Sequence, residues 1–93
     1  MRAVNALDSR AIHAAVEIAA NDLRLSAIPW KRPTPSDIVV LMSPRTYEAT
    51  GLAASRRTDF SGYAIVLDPT IPPDTIRVRD RRNMRDEIVR LTL

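Results

Sequence analysis

The sequence predicts an α+β fold: one long N-terminal amphipathic helix packed on a small sheet of three to four strands, with a short helix between the first two strands. Two observations lead to this class. The N-terminal third has a helical repeat of apolar positions, and two apolar runs bounded by turn residues follow a proline-rich stretch. A chain of 93 residues is expected to form one domain. Its predicted parts are a helix in 1–28, a connector at 29–36 and a sheet region at 37–93.

The first predicted element is a helix over about residues 6–27. Its polar side chains recur every three or four positions. The opposite face is apolar, at Ile12, Val16, Ala19 and Leu23. Asn5 or Asp8 can cap the first turn, and Pro29 ends the helix. We therefore expect the apolar face to lie on a core.

Residues 29–36 contain three prolines, Trp30 and the Lys31-Arg32 pair. Prolines at this density favour neither a helix nor a paired central strand, so this segment is predicted to be an extended connector. Trp30 has two interpretations. We favour the one in which it closes the core beneath the connector; in the other it is an anchor that binds a partner protein.

The next elements are a strand and a short helix. Ile38–Met42 is a continuous apolar run, which predicts a central strand buried on both faces. Ser43 can cap a helix with Pro44 at its first position, and Gly51 ends that helix after residue 50. Residues 52–61 are predicted to form a loop.

The C-terminal third is predicted to complete the sheet. Tyr63–Leu67 is a second apolar run, and Ile76–Arg79 alternates as a half-exposed strand does, with Arg77 and Arg79 on one side. The chain end is ambiguous, because its apolar positions fit a helix and also alternate like a strand. We favour a strand over about residues 87–93.

Few residues with catalytic chemistry are present. The absence of cysteine excludes thiol catalysis and cysteine-ligated metal centres. Two glycines cannot build a phosphate-binding loop, and the single histidine, His13, is predicted to be a solvated residue of the helix. The sequence therefore predicts a protein that is not an enzyme, with no catalytic residues, metal or cofactor. No apolar run is long enough to span a bilayer, so we expect a soluble chain without a membrane partner.

Arginines supply most of the positive charge. The net charge is +3, and thirteen of the fourteen basic residues are Arg. The densest group includes Arg77, Arg79, Arg81 and Arg82, which could bind phosphates or an acidic protein surface. The default interpretation is a solvated strand face with local ion pairs, since no aromatic residue lies within this segment for base stacking. These four arginines and Trp30 are the candidate binding residues.

Residues 37–80 resemble part of the HK97-type major capsid proteins of tailed phages. In that family a strand leads into an M-x-P-x-T-Y helix start, a glycine precedes a second strand, and a proline-bearing turn leads to a third strand that ends near an aspartate. The matching residues here are Met42, Pro44, Thr46, Tyr47, Gly62, Pro72 and Asp80. Because a capsid subunit is much longer, the resemblance implies a small phage or prophage protein, a virion accessory or a host-interacting protein. It implies no catalytic residue.

The resemblance and the composition together give a functional prediction. Abundant Arg and Ala fit a GC-rich host such as an actinobacterium, and the expected location is the host cytoplasm or the virion. The predicted function is protein–protein binding, to a phage structural protein, a host protein or a second copy of the chain. The alternative is an arginine-dependent regulator that binds nucleic acid.

Overall fold

The computed structural model describes residues 2–92, which form six strands and two helices. The strands are β1 (Arg2–Asn5), β2 (Ile38–Met42), β3 (Asp59–Phe60), β4 (Tyr63–Leu67), β5 (Thr75–Asp80) and β6 (Arg85–Thr92). The helices are α1 (Ser9–Leu25) and α2 (Pro44–Ala49). The predicted α+β class is confirmed. The predicted count of three to four strands is too low, because the short edge strands β1 and β3 have no clear local signal. The predicted short helix is present as α2, but because β1 comes first in the chain it lies between the second and third strands and not between the first two.

All six strands belong to one sheet in the order β1-β6-β5-β2-β4-β3. β1, β6, β2 and β4 run in one direction, and β5 runs against its neighbours β6 and β2. The predicted central strand is confirmed: all five residues of β2 are buried, and the strand pairs with β5 and β4. The predicted C-terminal strand is also present as β6, although Leu93 lies outside the described residues.

The N-terminal helix begins later than the predicted residue 6. The Asp8 side chain accepts a hydrogen bond from the Ala11 backbone N–H at 3.0 Å, so α1 starts at Ser9. The preceding residues form β1, which pairs in parallel with β6 at the other end of the chain. A four-residue strand with so distant a partner has no local signal, and for this reason the helical interpretation of the first residues was wrong.

The connector is not simply extended. Two single turns of 3-10 helix, Pro29–Lys31 and Pro35–Asp37, bend the chain from α1 to β2. Proline fits the first position of such turns, because its fixed φ suits the helix and its missing N–H has no partner there. The second turn is closed by a capping box in which Asp37 accepts hydrogen bonds from the backbone and hydroxyl of Thr34.

The segment before β4 contains a hairpin where the sequence predicted only a loop. Ser61 and Gly62 have φ values of 52° and 85° and join β3 to β4 in a two-residue turn. Phe60 is buried and stacks on the ring of His13, with ring centroids 4.0 Å apart. The Ser61 hydroxyl lies 2.7 Å from His13 Nδ1. His13 is therefore half-buried and packed, and the prediction of a solvated histidine was wrong.

The two faces of the sheet differ. On the covered face, α1 packs over β1, β5 and β6, and its six buried residues join one core with Val40, Ile76, Val78 and Val89. On the open face, the alternate residues of β2, β4, β5 and β6 include Val39, Leu41, Val66, Arg77, Arg79 and Asp86. Here Val39, Leu41 and Ile71 form a separate small apolar cluster.

Candidate binding surfaces

Arg77 and Arg79 lie side by side on the open face, as the alternation of β5 predicted. Arg79 donates from Nε and Nη2 to the two carboxylate oxygens of Asp86, at 2.8 Å and 3.2 Å. This forked bond raises the pKa of Arg79 above its ordinary value. The Nε of Arg77 is 3.6 Å from the same carboxylate. One aspartate thus serves two guanidinium groups and neutralises only one of them.

Two donors on this face lack an acceptor among the described residues. The Nε of Arg77 is buried and has no hydrogen-bond partner. The backbone N–H of Arg81 donates to the Asp37 carbonyl at 2.8 Å, whereas its exposed side chain makes no hydrogen bond within residues 2–92. Of the two, the exposed Arg81 side chain retains capacity to bind a carboxylate or phosphate.

The turn between β5 and β6 is organised by Asp80, which is fully buried. One of its carboxylate oxygens accepts from the backbone N–H groups of Arg82 and Asn83, and the other accepts from the Asn83 side chain at 2.7 Å. Arg85 lies 3.7 Å away across the strand pair. The buried charge is therefore satisfied locally, which fixes the conformation of the turn.

Two side chains of this turn hold the segment that contains Trp30. Asn83 donates from Nδ2 to the Lys31 carbonyl at 2.9 Å, and Arg82 donates from Nη2 to the Trp30 carbonyl at 3.3 Å. These bonds join residues 52 positions apart in the chain. The structure thereby brings together Trp30 and Arg82, two of the residues that the sequence singled out.

Arg85, at the start of β6, connects the turn between β5 and β6 to the C-terminal end of α1 through hydrogen bonds. It donates to the Leu23 carbonyl at 2.8 Å and to the Ser26 hydroxyl at 3.0 Å. A cation at a helix C-terminus binds carbonyls that have no partner within the helix and is favoured by the helix dipole. The turn between β5 and β6 and the turn that contains Trp30 are therefore both held to the main body of the fold.

Large apolar side chains are exposed around this junction. Trp30 is 75% exposed and Met84 is 74% exposed, so the interpretation of Trp30 as a core residue was wrong. Leu25 and Ile28 are also exposed. We call this surface the tryptophan end; it comprises Leu25, Ile28, Trp30, Lys31, Arg32, Arg81, Arg82 and Met84. The nearby Asp37 has a lowered pKa, mainly through its hydrogen bonds with Thr34 and further through the charges of Arg82 and Arg81.

A shallow depression adjoins the tryptophan end on the open face. Its volume is about 570 Å³, and it is lined by Val39, Leu41, Val66, Arg79, Arg81 and Met84. Val39 and Leu41 form an apolar floor beside the arginines of β5. We call it the open-face depression. Arg81 and Met84 belong to both surfaces and connect them.

No arrangement within residues 2–92 supplies a metal site, because no three potential ligands among His, Asp and Glu converge. Asp68, which follows β4, has a local partner instead, because its carboxylate accepts from the backbone N–H and the hydroxyl of Thr70. Ser61 contacts His13, but it occupies a hairpin turn, and the imidazole makes no second hydrogen bond within residues 2–92 that would form a catalytic triad.

The chain matches no protein-family model, no curated protein and no solved structure. Among the described residues, no helix has the length and apolar character needed to cross a bilayer.

Sequence reasoning missed the residues that assemble the tryptophan end, namely Asp80, Asn83 and Arg85. The pattern of an aspartate followed three residues later by an asparagine is a turn signal and could have predicted the hairpin. Nothing in the local sequence shows that Asn83 and Arg82 reach the Trp30 segment, because that contact depends on how α1 lies on the sheet.

Proposed function

We propose that this chain is a non-enzymatic protein that acts by binding another protein through the tryptophan end. The observation that carries the proposal is the exposed Trp30 on a turn whose backbone is fixed by Arg82 and Asn83. A large apolar side chain on a fixed backbone loses little conformational entropy on binding, which is the property of residues that dominate interface energies.

The surroundings of Trp30 favour an acidic protein surface as the partner. Lys31, Arg32, Arg81 and Arg82 lie in the two turns and are exposed, and Leu25, Ile28 and Met84 add apolar area. An aromatic anchor with arginines around it is the composition in which binding energy concentrates at interfaces. A partner with an apolar pocket rimmed by carboxylates would complement both features.

The class of partner follows from the resemblance to phage capsid proteins. On that hypothesis the partner is a phage structural protein, a host protein or a second copy of this chain, and the chain works in the host cell or the virion. The sequence similarity at Met42, Pro44, Thr46 and Tyr47 supports this origin, and the comparisons neither add to it nor oppose it.

The experiment is a capture from host extract and from purified virions, followed by mass spectrometry and by calorimetry with the purified candidate. Trp30→Ala should lose the partner that the parent protein binds. Leu7→Ala is the matched control, because Leu7 is also a large exposed apolar residue but lies before α1, far from the tryptophan end. Equal affinity of the parent and Trp30→Ala for every purified candidate would refute the proposal.

A second candidate function is binding of single-stranded nucleic acid. The basic segment at residues 77–85 lacks an aromatic residue of its own, but the structure places the Trp30 turn beside Arg82. An exposed indole among arginines can stack on bases while the cations contact phosphates.

The two candidates can be separated with the intrinsic fluorescence of Trp30, the only tryptophan in the chain. Titration with single-stranded DNA over a salt series should show quenching whose affinity falls steeply with salt if phosphates are bound. Fluorescence that is unchanged by DNA at low salt, together with a blue shift on adding the purified protein partner, favours protein binding.

A further inference from the structure

We propose that the open-face depression is a second binding site, which takes a short acidic peptide segment with aliphatic side chains from a partner protein. This site shares Arg81 and Met84 with the tryptophan end but has its own apolar floor, so it goes beyond the proposed function, and either role can exist without the other. The proposal rests on the shape, the apolar floor and the charge balance of the depression.

The floor is apolar although no residue of α1 or α2 lines it. Val39 and Leu41, on the central strand, form the bottom of the depression and are almost fully buried, and Val66 on β4, which is 42% exposed, supplies the accessible apolar area. The volume of about 570 Å³ is within the range of specific ligand sites. It accommodates one or two aliphatic side chains rather than a large folded surface.

The rim carries two arginines, and one of them, Arg81, has no ion pair within residues 2–92. Arg79 and Arg81 line the depression, and none of its lining residues is acidic. Asp86 is already shared by Arg79 and Arg77, and Arg81 makes no side-chain hydrogen bond within residues 2–92. A carboxylate is the group that pairs with a guanidinium through two parallel bonds.

The rim is also partly ordered in advance. The forked bond to Asp86 holds the Arg79 side chain in one position, and only about a third of that side chain is exposed. Such order reduces the entropy lost when a ligand binds. Met84, at the edge of the depression, has an unbranched side chain that can adapt to different aliphatic groups. These properties fit a peptide that alternates acidic and aliphatic residues.

The test uses a fluorescein-labelled synthetic peptide of alternating Glu and Leu residues, with binding to the full chain followed by anisotropy. The control peptide has Gln in place of every Glu. We expect saturable binding of the Glu peptide and binding at least about tenfold weaker for the Gln peptide, because a hydrogen bond loses much of its strength when its charge is removed.

Three variants locate the peptide. Arg81→Ser and Val66→Asp each alter the depression at an exposed side chain, and both should weaken binding about tenfold or more. Arg10→Ser is the matched charge control, since Arg10 is an exposed arginine of α1 and should be silent. Trp30→Ala should also leave peptide binding unchanged, whatever it does to the proposed protein partner.

The proposal is overturned if the Glu peptide does not bind at millimolar concentration or if the Gln peptide binds as tightly as the Glu peptide. It is also overturned if Arg81→Ser and Val66→Asp bind the Glu peptide as tightly as the parent protein does. Peptide binding that is lost in Trp30→Ala but kept in Val66→Asp would also overturn it, because the peptide would then occupy the tryptophan end. Thermal melting of each variant confirms that a lost affinity is not a lost fold.

Discussion

The covered and open faces are built from the same strands, yet different physics stabilises them. On the covered face Val40, Ile76, Val78 and Val89 are fully buried beneath a continuous helix. On the open face, neighbouring positions carry Arg77, Arg79 and Asp86, which remain partly in contact with water. The covered face therefore contributes most of the hydrophobic stabilisation, and the open face adds partly exposed ion pairs that contribute little.

The difference explains why arginines can stand beside apolar residues on one strand. β5 alternates between the two faces, so Val78 packs in the core while Arg77 and Arg79 extend over Val39 and Leu41. The alkyl stems of long side chains can cover apolar surface while their charged ends stay solvated. A face of this kind is stable in water and still contains apolar area that a partner can bury.

The largest effect is expected from a charge placed beneath α1. Val16 is fully buried at the centre of its apolar face, and Val16→Asp should unfold or aggregate the protein, because a buried carboxylate without a partner costs several kcal/mol. Glu17→Ala, one residue on and exposed, should be nearly silent. Denaturant melts measure both, and similar midpoints for the two variants would mean that the covered face is not where stability resides.

A smaller but substantial effect is expected at the turn that joins the two faces. Asp80→Ala removes the acceptor of three hydrogen bonds and leaves two backbone N–H groups without a partner. The free energy of unfolding should fall by about 2–4 kcal/mol. The exposed Asp74→Ala is the control and should cost less than about 1 kcal/mol. If Asp80→Ala cost no more than the control, the turn would not be organised by this carboxylate.

Adjacent residues of β5 allow a direct comparison of the faces. Val78→Ser, on the covered face, should lower the free energy of unfolding by about 2–3 kcal/mol through the loss of apolar burial. Arg79→Ser, on the open face, should lower it by less than about 1 kcal/mol, because the ion pair with Asp86 is partly exposed. Urea melts of the two variants give the comparison, and a larger loss for Arg79→Ser would reverse it.

The smallest effect concerns the pKa of Asp68, the aspartate that follows β4. The pKa of Asp68 is lowered, first by its hydrogen bonds from Thr70 and then by the charges of Arg77 and Arg79. A lowered native pKa means that the ionised form contributes stability above the ordinary aspartate pKa of about 4 and loses it as the pH falls through the native value.

Thr70→Val removes the donating hydroxyl and should shift the pKa of Asp68 upward, as measured by NMR titration of its side chain. Thr34→Val is a parallel test at Asp37, whose pKa is lowered by the same kind of contact. An unchanged pKa of Asp68 in Thr70→Val would assign its lowered value to the Thr70 backbone N–H and the two arginines instead.

The sequence by itself determined the elements whose signal is local. The apolar repeat of α1, the fully apolar run of β2, the Ser43 cap before Pro44 and the alternation of β5 each follow from the spacing of residues within one segment. The arginine cluster was visible in the same way. Its function in binding stays a prediction, as do the phage origin and the protein partner.

Tertiary structure decided everything that depends on contacts between distant segments. β1 exists because β6 offers it an edge, and His13 is packed because the β3–β4 hairpin brings Phe60 beside it. Trp30 is exposed and not in the core because Arg82 and Asn83 hold the backbone of its turn at the surface. The physical reason is the same in each case: a backbone donor or an aromatic face has many equivalent partners, and only the assembled fold selects one.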